Sequence, residues 1–273
     1  MATLVCFHAH PDDECIGTGG VMAKASAEGH RVVLVTATRG EQGEVPPGFL
    51  AEGEQLADRR VREVAASARI LGAQRQEFLG YADSGMMGTP ANDAPGSFWQ
   101  ADVDEAAERL AAILTEEGAD VLTVYDSHGG YGHPDHIQVH RVGLRAAELA
   151  GTPRVYQATI DRDEMVAMLR VAAAGEGPAA DSETAKMAQQ ILEGDVPEMG
   201  SPSTEITTRV DVARWIGQKR EAMRAHASQI SAESFFLAMP DEAFAMAFGR
   251  EAFIRVGATP PDSPEDDLLA GLA

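Results

Sequence analysis

The sequence has little cysteine and few basic residues, and both shortages exclude classes of protein. Its 273 residues contain two cysteines, Cys6 and Cys15, which cannot build a disulfide framework and lack the spacing of a zinc ribbon. Lysine and arginine number 22 against 43 aspartates and glutamates, so the formal net charge is −21. Such an acidic surface repels phosphate backbones and anionic lipids, so we expect neither nucleic acid nor a membrane as a partner.

Long apolar runs and a basic leader segment are also missing from the sequence. No stretch has the length and apolarity of a membrane span, and the first residues lead directly into a strand-like run. Together with the scarce cysteine, these features predict a cytoplasmic protein. No internal repeat is present beyond a short His-Pro-Asp theme.

Short β-rich runs alternate with helical patterns along most of the chain. Strand-like runs occur at 3–7, 31–40, 119–125 and 154–159, and helical patterns at 19–29, 50–72, 101–117 and 133–151. This alternation predicts an α/β fold, namely a Rossmann-like, mostly parallel sheet with helices on both faces, plus a small C-terminal lobe.

We expect one domain over residues 1–273. Residues 175–205 are rich in glycine, proline, serine and acidic residues, which predicts an insertion or a mobile segment. Residues 257–273 are acidic and proline-containing, which predicts a loose tail.

Two stretches that follow predicted strands are unusually rich in titratable side chains. "HAHPDDE" at 8–14 follows the first strand, and "GGYGHPDHIQVH" at 129–140 follows a later one. Ligands of open parallel sheets bind beyond the carboxyl ends of the strands, so both stretches are expected at the same edge. Two histidines and an aspartate would leave a fourth metal position open for water, as a catalytic zinc site requires.

Spacing alone leaves the metal ligands open. His8 and His10 alternate along a strand, so only one of them can face the site. His136 and His140 have the spacing of a zincin helix, but Ile137 occupies the position where that motif requires glutamate. The zincin interpretation is therefore rejected.

The two motifs together resemble a known family. "AHPDDE" followed by "GHPDH" is similar to the LmbE-like or PIG-L family of metal-dependent N-acetylglucosaminyl deacetylases. The resemblance extends through "VTATRGEQGE", "RRVREVAASARILG", "YADSGMMGT" and "KREAMRAHASQI". Within the family it is greatest to the mycothiol-pathway branch, which contains a deacetylase of an inositol-linked glucosamine and a mycothiol-conjugate amidase.

The resemblance implies a metal site and a set of catalytic residues. The implied zinc ligands are His10, Asp13 and His136, and ferrous iron would bind similarly. Asp12 is implied as the general base on the metal-bound water. His133 is implied as the cationic group that stabilises the oxyanion or protonates the amine, with Asp135 holding and charging it.

The same resemblance implies contacts with the substrate. Tyr131 matches a tyrosine that contacts the tetrahedral intermediate, and Arg60 and Asp83 match an arginine and an aspartate that contact the sugar. Outside these positions, Glu14 is expected to form capping or supporting hydrogen bonds, and His226 is expected to be structural.

We therefore expect a metal-dependent hydrolase that removes the N-acetyl group from an N-acetylglucosamine-type conjugate, a small molecule, to release acetate and a free amine. One alternative is an amidase that cleaves a larger amide, such as a mycothiol conjugate. A second alternative is a non-catalytic sugar-binding protein on the same fold, which would have no need of Asp12 and His133.

Overall fold

One mixed sheet organises the protein. The computed structural model describes residues 1–176, 182–193, 199–261 and 263–272. The strands in this part of the chain are β1 Thr3–His8, β2 Arg31–Thr38, β3 Arg75–Tyr81, β4 Val121–Tyr125, β5 Arg154–Thr159, β6 Thr208–Asp211 and β7 Arg250–Arg255. Their spatial order is β3-β2-β1-β4-β5-β7-β6.

The first five strands are parallel, while β7 runs antiparallel to both β5 and β6. The predicted α/β fold with a mostly parallel sheet is therefore confirmed. The antiparallel pair is the contribution of the C-terminal part of the chain to the sheet.

Helices connect the strands. Those in the described residues are α1 Asp13–Gly17, α2 Gly19–Ala27, α3 Leu56–Ile70, α4 Val103–Glu117, α5 Gly129–Gly132, α6 Pro134–Ala150, α7 Arg162–Ala173, α8 Ser182–Glu193, α9 Ile216–Ala225, α10 Phe235–Ala238 and α11 Asp241–Phe248. None of them is long and apolar enough to cross a membrane.

Alternate residues of β1 belong to two different cores. Leu4 and Cys6 pack in a cluster with residues of α2, α3 and α9. Val5 and Phe7 pack in a second cluster with residues of α4 and α6. Since successive side chains of a strand point to opposite faces, the sheet is covered on both faces, as predicted.

The strand order places the site. From β1 the chain moves outward through β2 and β3 on one side, whereas β4 and β5 lie on the other side. The strand order therefore reverses between β1 and β4. At such a point a crevice forms beyond the carboxyl ends of the strands, and α/β sheets bind their ligands there. The two His-Pro-Asp stretches follow β1 and β4 and meet at this crevice.

The C-terminal residues differ from the predicted loose tail. Leu268 and Leu269 are buried in the core that contains α2 and α9. Glu265 pairs with the edge of β6, where its backbone N–H donates to the Thr207 carbonyl at 2.8 Å and its carbonyl accepts from the Arg209 N–H at 2.8 Å. The apolar leucine pair and the unpaired sheet edge explain why this acidic segment docks.

The segment 175–205 contains helix α8, and helix α7 lies just before it. Asp161 caps α7 by accepting from the Glu164 N–H at 3.2 Å, a pattern that the sequence "DRDE" carries. Residues 177–181 and 194–198 lie outside the described residues. The insertion or mobility of this segment and the single-domain organisation stay predictions.

Candidate active site

The first motif forms a tight turn between β1 and α1. His10 and Asp13 approach each other across this turn, because the His10 N–H donates to Asp13 Oδ2 at 2.8 Å. Asp12 between them has φ 110° and ψ −28°, and it is the one non-glycine residue with positive φ in the described chain. Such a conformation costs about 1–3 kcal/mol and persists only where the surroundings enforce it.

Arg60 from α3 is part of those surroundings. Its guanidinium Nη2 lies 3.1 Å from Asp12 Oδ1 and also donates to the Pro11 carbonyl, while Nη1 donates to the Gly40 carbonyl at 2.9 Å. Gly40 must lack a side chain, since a Cβ there would stand 2.1 Å from Nη1. Burial raises the pKa of Asp12 to about 6, with Arg60 opposing the rise.

The second motif opens helix α6. His133 is the N-cap of this helix, and its Nδ1 accepts from the Asp135 N–H at 3.1 Å. Because a backbone N–H can only donate, the ring proton of neutral His133 lies on Nε2. Burial lowers the pKa of His133 to about 4, aided by the charges of His10 and His136. The contact with the Asp135 N–H favours a neutral ring, and the role of His133, expected above as a cationic group, stays a prediction.

His10, Asp13 and His136, the expected metal ligands, lie close together, and their binding of a metal stays a prediction. Asp13 Oδ2 lies 3.4 Å from His10 Nδ1, and Asp13 Oδ1 lies 3.4 Å from His136 Nε2. Ligands about 2.0–2.1 Å from a tetrahedral zinc would themselves lie about 3.3–3.4 Å apart, so the spacing fits such an ion. Nitrogen atoms of His10, His133 and His136 also lie within 4.8 Å of one another, so His133 faces the same centre.

Two further carboxylates contact the second ring nitrogen of His10. His10 Nε2 lies 3.2 Å from Asp135 Oδ2 and 3.5 Å from Asp83 Oδ1. Metal-binding histidines commonly donate their second ring N–H to a carboxylate, which fixes the ring and its tautomer. A divalent cation would relieve the repulsion between the neighbouring carboxylates of Asp13, Asp83 and Asp135 around His10. The donor set therefore fits a metal ion.

Asp135 differs from its expected role. Its carboxylate contacts His10 and accepts from the Ser84 N–H at 2.9 Å, whereas His133 contacts only its backbone N–H. The reason is geometric, because the Asp135 carboxylate lies against His10 while His133 is the N-cap of α6.

Asp83 and Arg60 are both buried, with 5% and 3% of their surfaces exposed. Asp83 accepts from the backbone N–H groups of Gln42 at 3.1 Å and Gly85 at 2.8 Å, in addition to facing His10. Burial alone would raise the pKa of Asp83, but the hydrogen bond to His10 and two backbone bonds lower it below its usual range. Direct contact of Arg60 and Asp83 with a sugar stays a prediction.

Tyr131 lies at the mouth of the site. It is 47% exposed, and its hydroxyl is 3.5 Å from His136 Nε2. The turn that carries it contains Gly130 at φ 73°, a conformation that favours glycine. Burial raises the pKa of the Tyr131 hydroxyl above its usual value. The hydroxyl is therefore a neutral donor near the proposed metal.

Tyr125 is a site residue that the motifs did not indicate. Its ring stacks on His136 with centroids 4.3 Å apart and planes 10° from parallel. Its hydroxyl is 2.8 Å from His8 Nδ1, and the other ring nitrogen of His8 is 2.8 Å from Thr18 Oγ1. The available signal was position, since Tyr125 and His8 end the two strands that flank the crevice.

Sequence comparisons with known proteins point to one family. The profile of the PIG-L family, described as GlcNAc-PI de-N-acetylase, matches residues 5–147, which include both motifs. A protein of Acidothermus cellulolyticus named 1D-myo-inositol 2-acetamido-2-deoxy-alpha-D-glucopyranoside deacetylase is 40% identical over 289 aligned residues, covering 100% of this chain and 96% of the relative. A Nocardiopsis dassonvillei protein of the same name is 43% identical over 292 residues, covering 97% and 99%.

Solved structures share the fold at low identity. The N,N'-diacetylchitobiose deacetylase from Pyrococcus horikoshii matches with a TM-score of 0.58 and 23% identity, covering 95% of this chain and 87% of that one. The 4-carboxy-2-hydroxymuconate hydratase from Pseudomonas putida matches with a TM-score of 0.57 and 19% identity, covering 96% and 99%. Because a deacetylase and a hydratase share it, the fold alone does not name the reaction.

The family profile spans more than half of the chain, and relatives about 40% identical align with nearly all of it. The predicted resemblance is confirmed, and the chain belongs to the PIG-L family.

Proposed function

We propose that this protein is a metal-dependent hydrolase that removes the N-acetyl group from an N-acetylglucosamine-type sugar conjugate. The observation that carries the proposal is the meeting of the two His-Pro-Asp loops, in which Asp13 contacts both His10 and His136 at 3.4 Å. The names of the relatives support inositol-linked N-acetylglucosamine as the substrate.

His10, Asp13 and His136 would hold the metal, for which the nitrogen and carboxylate ligands suit zinc and also ferrous iron. When bound, the ion would supply a water of lowered pKa and a Lewis acid for the acetyl oxygen. The site holds four carboxylates, of which Asp83 and Asp135 are buried and Asp12 and Asp13 are half-buried, and together they make this region attractive to a cation.

Asp12 is the proposed general base. Its carboxylate, held by Arg60 at 3.1 Å, accepts a proton from the attacking water as the water oxygen bonds to the acetyl carbon. Asp12 and Asp13 are adjacent in sequence but have different proposed roles. Asp13 faces His10 and His136, whereas Asp12 faces Arg60.

His133 and Tyr131 both lie next to His136 and are proposed to stabilise the tetrahedral intermediate. The Nε2–H of neutral His133 and the Tyr131 hydroxyl can both donate to the developing oxyanion. As the C–N bond breaks, the proton that Asp12 accepted from the water passes to the leaving amine, which returns Asp12 to its carboxylate form and releases acetate. Asp135 acts on this step indirectly, since it fixes His10.

The test is amine release from inositol-linked N-acetylglucosamine, free N-acetylglucosamine and a bulky N-acyl analogue. Each is assayed with wild type, with metal removed and restored, and with Asp12→Asn. We expect metal-dependent release from the acetylated substrates and a loss of about 10²–10⁴-fold in Asp12→Asn. The control Asp58→Asn, at an exposed position of the same helix as Arg60, should retain wild-type activity.

The alternatives predict other results. Preference for the bulky acyl group would favour the amidase that cleaves a larger amide. Binding of the sugar without turnover, in protein that holds its metal, would favour the non-catalytic sugar-binding protein. The cytoplasmic location stays a prediction.

A further inference from the structure

A second buried cluster lies directly beneath Asp12. Glu14 is fully buried, and its Oε2 accepts from the Asp12 N–H at 2.9 Å. Its Oε1 contacts His226 Nε2 at 2.6 Å and accepts from the Ser67 hydroxyl. Both carboxylate oxygens of Glu14 are therefore engaged, one by the backbone of the proposed base and the other by two side chains.

The cluster joins three elements. Glu14 lies in α1, Ser67 in α3, and His226 is the C-cap of α9. Helix α9 packs against both α1 and α3, so the position of Glu14 is set by the packing of the core. Because its own position is fixed, Glu14 can hold the turn that contains Asp12 in place.

The other side of the Asp12 peptide is also held. The Asp12 carbonyl accepts from the Cys15 N–H at 3.2 Å and from the Cys15 thiol at 2.9 Å. Without Glu14, the N–H of Asp12 would lose its acceptor, and the residue could relax from φ 110° towards negative φ. Such a relaxation would rotate the carboxylate away from Arg60.

We propose that Glu14, oriented by His226 and Ser67, is a positioning residue that holds Asp12 in its left-handed conformation and so directs the base carboxylate. The proposal rests on the proposed function, in which Asp12 is the base. Glu14, Cys15 and His226 also have the grouping of metal ligands. The direct 2.6 Å contact between Glu14 and His226 favours a hydrogen-bonded pair over a second metal site.

The experiment is a double-mutant cycle in kcat, with Glu14→Ala made in wild type and in Asp12→Asn. We expect Glu14→Ala to lower kcat about 10- to 100-fold in wild type, with KM and metal content unchanged. In Asp12→Asn the same change should lower the residual kcat by less than about twofold, because no base is left to misplace. Glu14→Gln keeps an acceptor for the Asp12 N–H and should remain within about threefold of wild type.

Lys219→Met is the matched structural control. Lys219 also lies on α9 and forms a buried ion pair with Glu251 at 2.5 Å, and Glu251 accepts from the Gly20 N–H of α2. This substitution should lower the thermal stability but change kcat by the same factor in both backgrounds. Equal factors for Glu14→Ala in the two backgrounds would instead make Glu14 structural and overturn the proposal. A metal content that falls in Glu14→Ala would favour the metal site and overturn it as well.

A crystal structure of Glu14→Ala separates this proposal from the proposed function. We expect Asp12 to leave its positive φ in this variant whether or not any sugar is a substrate. An Asp12 that keeps φ near 110° without Glu14 would refute the positioning role even in an active deacetylase. Failure of the deacetylase assay in wild type, with Asp12 displaced in the variant, would refute only the function.

Discussion

The backbone conformation of Asp12 allows a prediction that separates strain from chemistry. Asp12→Gly and Asp12→Ala both remove the carboxylate and its contact with Arg60, so these losses cancel when the two variants are compared. Glycine adopts φ 110° without a steric penalty, whereas alanine retains the Cβ that makes this conformation unfavourable. We therefore expect Asp12→Gly to be the more stable variant.

The magnitude follows from two opposing terms. Relief of the strain favours glycine by about 1–3 kcal/mol, and the greater freedom of glycine in the unfolded chain disfavours it by about 0.4–1 kcal/mol. The net advantage is about 1 kcal/mol, which raises the melting temperature of a protein this size by about 2–4 °C. Chemical denaturation of both metal-free variants measures the difference directly.

An ordinary helical position provides the control. Glu108 is exposed in the middle of α4, where Glu108→Gly should be less stable than Glu108→Ala by about 1 kcal/mol. The sign is thus expected to reverse between the two positions. If Asp12→Ala proved more stable than Asp12→Gly by about 0.4–1 kcal/mol, as the entropy of the unfolded chain alone predicts, the conformation of Asp12 would carry no strain, and the reasoning about Glu14 would lose its basis.

Three further substitutions test other parts of the structure. Because Leu269 is buried, Leu269→Ala should lower the free energy of unfolding, measured by urea denaturation, by about 2–3 kcal/mol. No change in this free energy would instead indicate a loose tail. Tyr125→Phe keeps the stacked ring but leaves His8 Nδ1 without its partner, so a loss of about 1 kcal/mol is expected and unchanged stability would contradict the contact. Hydrogen bonds from Arg31 and then Arg75 lower the pKa of Glu117 from 4.5 to about 2, so its stabilisation is present above pH 4.5 and is lost as the pH falls towards 2. Glu117→Gln should therefore cost about 1–2 kcal/mol at pH 7, and titration of the stability should show the two curves converging between those pH values.

Local patterns were enough to predict much of the fold and the ligand set. The β-branched runs that became β1, β2 and β4 predicted strands of a mostly parallel sheet, and the helical pattern at 133–151 predicted α6. Because the carboxyl ends of parallel strands share one edge, the approach of His10 to His136 also followed. These features depend on neighbours in sequence and on a general rule of sheet topology.

The roles of supporting residues depended on distant contacts instead. Asp135 adjoins Pro134 in the second motif, yet its carboxylate contacts His10, 125 residues earlier in the chain. Leu269 lies in an acidic segment whose composition predicts solvent exposure, yet it is buried. No local pattern reports such contacts, because they arise only when separate elements pack.

The sequence by itself determined the fold class, the family and the pair of loops that carry the chemistry, since each is written in short motifs and periodicities. Only the tertiary structure decided that Asp12 has positive φ, that Glu14 and Arg60 contact it, and that His133 accepts from the Asp135 N–H. These properties come from burial and from hydrogen bonds between residues far apart in the chain, and a linear pattern contains neither.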